Sequence, residues 1–106
     1  MQRICFVLHI RQEKIDEYRK CHAAIWPTMV EALRDAGWKN YSLFLRSDGL
    51  LIGYFETEDL ASSQQKMLAT PVNAQWQREM AHCFENLGET MPDQNIIPLS
   101  EVFHLS

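Results

Sequence analysis

The chain has 106 residues, 46% of them hydrophobic and 23% charged, which fits one soluble globular domain spanning 1–106 with a packed core. Its formal net charge is −4 and it has no block of Lys and Arg, so nucleic acid is excluded as a default partner, because phosphate binding needs clustered cations. The N-terminal apolar run breaks at His9 and Arg11, too early for a signal peptide or a membrane span, and a cytoplasmic protein without a membrane partner is expected.

Residues 2–10 read as a strand, with Ile4, Phe6, Leu8 and Ile10 on one face and Cys5, Val7 and His9 on the other. Arg11 to Glu13 turns the chain into a helix that runs to about Ile25. Its inner stripe is Ile15, Tyr18, His22 and Ile25, the spacing of a buried helix face. A four-residue step rotates only about 40°, so Tyr18 and His22 lie one above the other. They are either two satisfied core residues or the wall of a polar pocket. Trp26 precedes Pro27 and is pushed off helical angles. Pro27 then opens a second helical piece with the stripe Met29, Val30, Leu33, Ala36, ended by Gly37.

Residues 40–46 and 50–56 form a hairpin about Ser47-Asp48-Gly49, Asp-Gly being a strong turn signal. Tyr41 opens the first of these strands and can point into the helix layer or toward a partner. A helical region follows Glu58-Asp59 and is interrupted at Thr70-Pro71. From Pro71 a longer helix carries Val72, Trp76, Met80, Cys83, Phe84 and Leu87 on one stripe up to Gly88. Residues 89–98 are a loop kept extended by Pro92 and Pro98, and residues 100–105 read as a last strand.

The order βαββαβ predicts an α+β, ferredoxin-like fold, a four-stranded antiparallel sheet with helices on one face. Neither face of the first three strands is convincingly polar. An exposed apolar sheet face is unusual on a monomer, so a homodimer is expected.

His22 can exchange a proton near neutral pH, and Tyr18 can donate to an oxygen or orient the imidazole. Trp76 is either a core tryptophan or a platform for the apolar face of a sugar ring, and Gln77 beside it can reach the same cavity. His9, His82 and His104 are weaker candidates, and Asp16–Lys20 is a surface pair. Cys5, Cys21 and Cys83 form no disulfide framework or CxxC site. In Cys21-His22 and His82-Cys83 the neighbours would diverge by about 100° on a helix, so neither pair readily chelates one ion and no metal ligand is assigned. The chain has no G-x-S-x-G, Walker or G-x-G-x-x-G motif, so no cofactor is expected and proton transfer by His and Tyr is the chemistry left.

Glu17-Tyr18-Arg19 with His22, then Ile25-Trp26-Pro27, Asn40-Tyr41-Ser42, Trp76 and Val102-Phe103-His104-Leu105 follow in an order and spacing that resembles the L-rhamnose mutarotases. The resemblance implies a dimeric ferredoxin-like protein, a dimeric α/β barrel, that interconverts the α and β anomers of L-rhamnose without a cofactor. It implies that His22 is the proton donor and that Tyr18, Tyr41 and Trp76 contact the sugar. The family carries a Trp-Trp pair where this chain has Trp76-Gln77, and an Asn-Pro-Asp-Asn loop where this chain has Met91-Pro92-Asp93-Gln94. Both departures bear on which sugar is preferred. Two other readings remain open: a cofactor-independent monooxygenase on the same dimeric scaffold, and a non-catalytic sugar-binding module.

Overall fold

The computed structural model describes residues 1–106 and has an α+β architecture. Strands β1 (Gln2–His9), β2 (Lys39–Leu45) and β3 (Leu50–Thr57) form one antiparallel sheet in the order β1-β3-β2. Four helices accompany it: α1 (Ile15–Ala23), α2 (Pro27–Asp35), α3 (Leu60–Leu68) and α4 (Pro71–Met80). The two prolines that open α2 and α4 occupy the first helical position, where a missing N–H costs no hydrogen bond. Trp26, ahead of Pro27, takes the extended angles φ −54° and ψ 131°, as the clash with a following proline ring requires. That break separates α1 from α2.

The sheet buries Ile4, Phe6, Leu51 and Phe55 against Tyr18, Met29, Met67, Trp76 and Met80 of the helices. Phe6 lies directly across from Gly53 in the β1–β3 register. Its ring covers the glycine so closely that an added Cβ would come within 2.2 Å of Phe6 Cζ. The hairpin between β2 and β3 turns at Gly49, whose φ of +97° and whose closeness to the Ile10 carbonyl both demand glycine.

An irregularity in β2 decides where Tyr41 points. Lys39 pairs with Glu56 and Ser42 with Tyr54, so Asn40 and Tyr41 together oppose one residue of β3. This is a β-bulge, with Asn40 at φ +50°. In a regular strand, residues three apart fall on opposite faces. The extra residue instead brings Trp38 and Tyr41 to the same inner face, their ring centroids 4.9 Å apart.

Two expectations from sequence are corrected. The last helix does not continue to Leu87: α4 ends at Met80, a 3-10 turn covers Ala81–Cys83, and Phe84 bridges Ile10. The cause is the free edge of β1. The Arg11 N–H donates to the Cys83 carbonyl (2.7 Å) and the Glu85 N–H to the His9 carbonyl (2.8 Å). These bonds fix the chain in an extended form that a helix cannot share. Residues 100–105 form no strand within the chain, so the sheet has three strands rather than four. The segment touches β1 through Leu99 N–H to the Cys5 carbonyl (2.7 Å) and through the Arg3–Glu101 ion pair. Val102, Phe103 and Leu105 then stand 94%, 78% and 82% exposed.

Gly53→Ala should destabilise the fold by about 1–3 kcal/mol, the usual range for overpacking a filled core, because the Phe6 ring has to leave its place over the glycine. Denaturant unfolding of the variant, read against the parent, measures this; an unchanged midpoint would show that the ring moves without loss.

Candidate active site

A cavity lies between the sheet and the helix layer, lined by Tyr18 and His22 of α1, Tyr41 of β2, Asn73, Trp76 and Gln77 of α4, and Asp93 of the loop after α4. All five residues singled out from sequence are brought together here. Tyr41 joins them because of the bulge at Asn40, and the rest because the α1 and α4 stripes both face the sheet.

His22 is half-buried, and its Nδ1 lies 3.0 Å from the carbonyl oxygen of Tyr18, one helical turn earlier. A carbonyl only accepts, so Nδ1 carries the proton and donates it. The Nε2 lone pair is thereby left free for chemistry. The ring stacks on Tyr18 with centroids 4.0 Å apart and meets Trp76 edge-on at 5.4 Å. Burial lowers the imidazole pKa below its ordinary 6.5, a shift the Tyr18 carbonyl partly offsets. The resting ring is therefore neutral at pH 7. Burial raises the phenol pKa of Tyr18 well above its usual value, with a smaller contribution from nearby Tyr41, and burial raises that of Tyr41 likewise. Both phenols stay protonated, so each keeps an O–H to offer a ligand.

Trp76 is buried, with its ring perpendicular to that of Trp26 at 4.9 Å and its edge against His22. Gln77 has both ends of its amide engaged. Its Nε2 donates to Asn73 Oδ1 (3.1 Å) and its Oε1 accepts from the Asp93 N–H (3.1 Å). Asn73 in turn donates to Asp93 Oδ2 (2.9 Å) and to the Met67 carbonyl (3.1 Å). The three side chains tie the 92–95 turn to α4.

Asn73 and Trp38 are not among the residues the sequence singles out, and Asp93 enters there only as part of the Met91–Gln94 loop. Asp93 Oδ1 and Trp38 Nε1 are buried with no hydrogen-bond partner, and both residues line the cavity. A buried polar atom left unpaired costs about 1–3 kcal/mol. One free acceptor and one free donor join the phenol, imidazole and amide groups of the lining, and together they suit a ligand that carries hydroxyls. The Asn73–Gln77 spacing of four, a helical amide pair, was the one available signal for Asn73. Trp38 gave no such signal, because its placement depends on the bulge, and for Asp93 the only pointer was the resemblance of its loop to the family's. His9 and His104 are exposed, and His82 pairs with Glu17 at the surface, so none of the three enters the cavity.

Fold and cavity together describe a small α+β protein with an imidazole, two phenols and a chain of amides gathered on one cavity. The chain belongs to the L-rhamnose mutarotase family, whose sequence profile matches residues 3–105. It is 37% identical over 106 residues to the L-rhamnose mutarotases of Oceanobacillus iheyensis and of Bacillus subtilis, covering 99% of both chains in each case. A solved L-rhamnose mutarotase from Formosa agariphila shares the fold over 100% of both chains, with a TM-score of 0.75 at 21% identity.

A site-resolved NMR titration should find His22 titrating below 6.5 in the folded protein. Because the folded state binds this proton less readily than the unfolded chain, the stabilisation tied to His22 is complete above the unfolded pKa. It declines as pH falls through that value toward the folded one. A midpoint above 6.5, or an Nε2–H tautomer in the neutral ring, would remove His22 as a resting base.

Proposed function

We propose that this chain is an aldose mutarotase that interconverts the α and β anomers of L-rhamnose, with His22 as the group that moves the proton. The observation that carries the reading is the free Nε2 of a neutral imidazole in the cavity of a chain that matches the family from residue 3 to 105. Anomer exchange removes a proton from the anomeric hydroxyl, breaks the bond between C1 and the ring oxygen, and delivers a proton to that ring oxygen. The open aldehyde rotates and closes again by the reverse steps. The two oxygens share one carbon, so a single Nε2 can take the proton from one and return it to the other. Protons and electrons balance with no external reactant.

Tyr18 and Tyr41, held protonated by burial, donate hydrogen bonds to sugar oxygens. The Trp76 ring offers an apolar wall for the sugar's carbon face. Asp93 Oδ1 and Trp38 Nε1, otherwise unpaired, receive and donate to ligand hydroxyls. Gln77 contributes mainly by holding Asp93 in place through Asn73 and the Asp93 backbone. All 106 residues act as one domain in this reading, and three free thiols suit a reducing cytoplasm. No helix is long and apolar enough to cross a membrane.

The working form is a homodimer closed as an α/β barrel. Phe44 (63% exposed) and Ile52 (37%) lie on the sheet face away from the helices, and the apolar residues of 102–105 have no cover within the chain. A second copy placed across that face buries both sets. It also gives residues 100–105 a strand to pair with, which supplies the fourth strand that the isolated chain lacks.

Exchange NMR on L-rhamnose should show magnetisation passing between anomers faster than in buffer. His22→Ala should lower the rate by roughly 10²–10⁴, the usual worth of general acid–base catalysis. Binding of rhamnose without exchange would leave a sugar-binding module, and oxygen uptake with an aromatic substrate would indicate a monooxygenase. Light scattering at micromolar concentration should give a dimer mass, and a chain ending at Leu99 should give a monomer; a full-length monomer would overturn the barrel.

A further inference from the structure

Outside the cavity, three side chains of metal-ligating type converge from distant parts of the chain. Glu17 comes from the exposed side of α1, and His82 and Cys83 come from the 3-10 turn after α4. Their donor atoms all lie within 4.8 Å of one another. Cys83 Sγ is 3.7 Å from His82 Nε2 and 3.8 Å from Glu17 Oε2, and His82 Nε2 is in direct contact with the same carboxylate oxygen. A tetrahedral zinc ion with Zn–S of about 2.3 Å and Zn–N of about 2.0 Å sets sulfur and nitrogen about 3.5 Å apart. The observed sulfur distances fall close to that span, and the imidazole and carboxylate, which touch directly, would part to admit the ion.

The expectation that His82 and Cys83 diverge rested on an unbroken helix. The backbone bond from Arg11 to Cys83 and the bridge at Phe84 end the helix first, and the imidazole and thiol both reach Glu17 Oε2. Lys14 Nζ stands 3.8 Å from the other oxygen, Oε1, and leaves Oε2 to the cluster. Cys83 is fully buried behind the pair, while Glu17 and His82 are exposed at the rim, so a cation could enter from solvent and meet the sulfur last.

We propose that Glu17 Oε2, His82 Nε2 and Cys83 Sγ form a binding site for a zinc-class divalent cation, with solvent in the fourth position. A thiol and an imidazole among the donors favour zinc over the hard cations magnesium and calcium, which take oxygen ligands. Zinc binds sulfur as the thiolate, so the Cys83 thiol proton passes to solvent as the sulfur–metal bond forms. The ion would join α1, which carries Tyr18 and His22, to the end of α4, which carries Trp76.

The untagged, chelator-stripped chain titrated with Zn²⁺ should bind one equivalent and melt at a higher temperature as zinc is added. Co²⁺ in place of zinc should give a thiolate-to-metal charge-transfer band together with the intense visible bands of a tetrahedral ion. His82→Ala and Glu17→Gln change exposed side chains and should fold. Each should weaken binding by more than the roughly 10–100-fold typical of losing an outer-shell partner, and Cys83→Ser should abolish the charge-transfer band. Anomer exchange by the stripped His82→Ala protein should match the parent, which separates this site from the sugar cavity. No stoichiometric binding, or binding undiminished in His82→Ala, would show that Glu17 and His82 are a surface ion pair and nothing more.

Discussion

The outer edge of β1 carries backbone N–H and C=O groups that need partners, and much of the molecule is arranged by how they are met. At one end, Glu85 and Cys83 bond to His9 and Arg11. In the middle of the strand, the Leu99 N–H bonds to the Cys5 carbonyl. An edge strand left bare is a template for unwanted pairing, and here two separate pieces of chain cover it in part. The first piece cuts α4 short at Met80 and swings His82 and Cys83 over Glu17. The second carries the C-terminal segment along the sheet but leaves its apolar residues in solvent. A truncated helix, the Glu17–His82–Cys83 cluster and an unhoused tail thus share one cause.

The opposite edge works by a different device. β2 inserts Asn40 as a bulge, and the gain of one residue brings Trp38 and Tyr41 to the same side of the sheet. Trp38 stacks on Phe55 at 3.7 Å, which anchors the strand while Tyr41 faces the cavity. On the helix side, His22 gives its Nδ1 proton to the carbonyl of Tyr18. That bond satisfies a half-buried donor within one helix turn and decides which ring nitrogen stays free. The site is thus built from backbone adjustments as much as from side-chain choice.

Much of this was legible in the chain. The 3.6-residue spacing of Ile15, Tyr18, His22 and Ile25 placed the phenol and imidazole on one inward face, and Pro27 and Pro71 marked helix starts that the structure keeps. Asp48-Gly49 marked the hairpin. These signals are local: periodicity and turn chemistry act over a few residues and need no knowledge of the rest of the fold. The same reading failed from Ala81 to Leu87, where an apolar stripe continued past the point at which β1 claimed the backbone.

By itself, then, the sequence determined the order of the three strands and four helical segments, the inward faces of α1 and α4, and the placing of Tyr18 and His22 together on the first of those faces. It also held enough spaced motifs to indicate the family. Tertiary structure alone decided the direction of Tyr41, the end of α4, the pairing of Asp93 with Asn73 and Gln77, and the meeting of Glu17 with His82 and Cys83. Each of these depends on a hydrogen bond or contact between residues far apart in the chain, which no local pattern encodes.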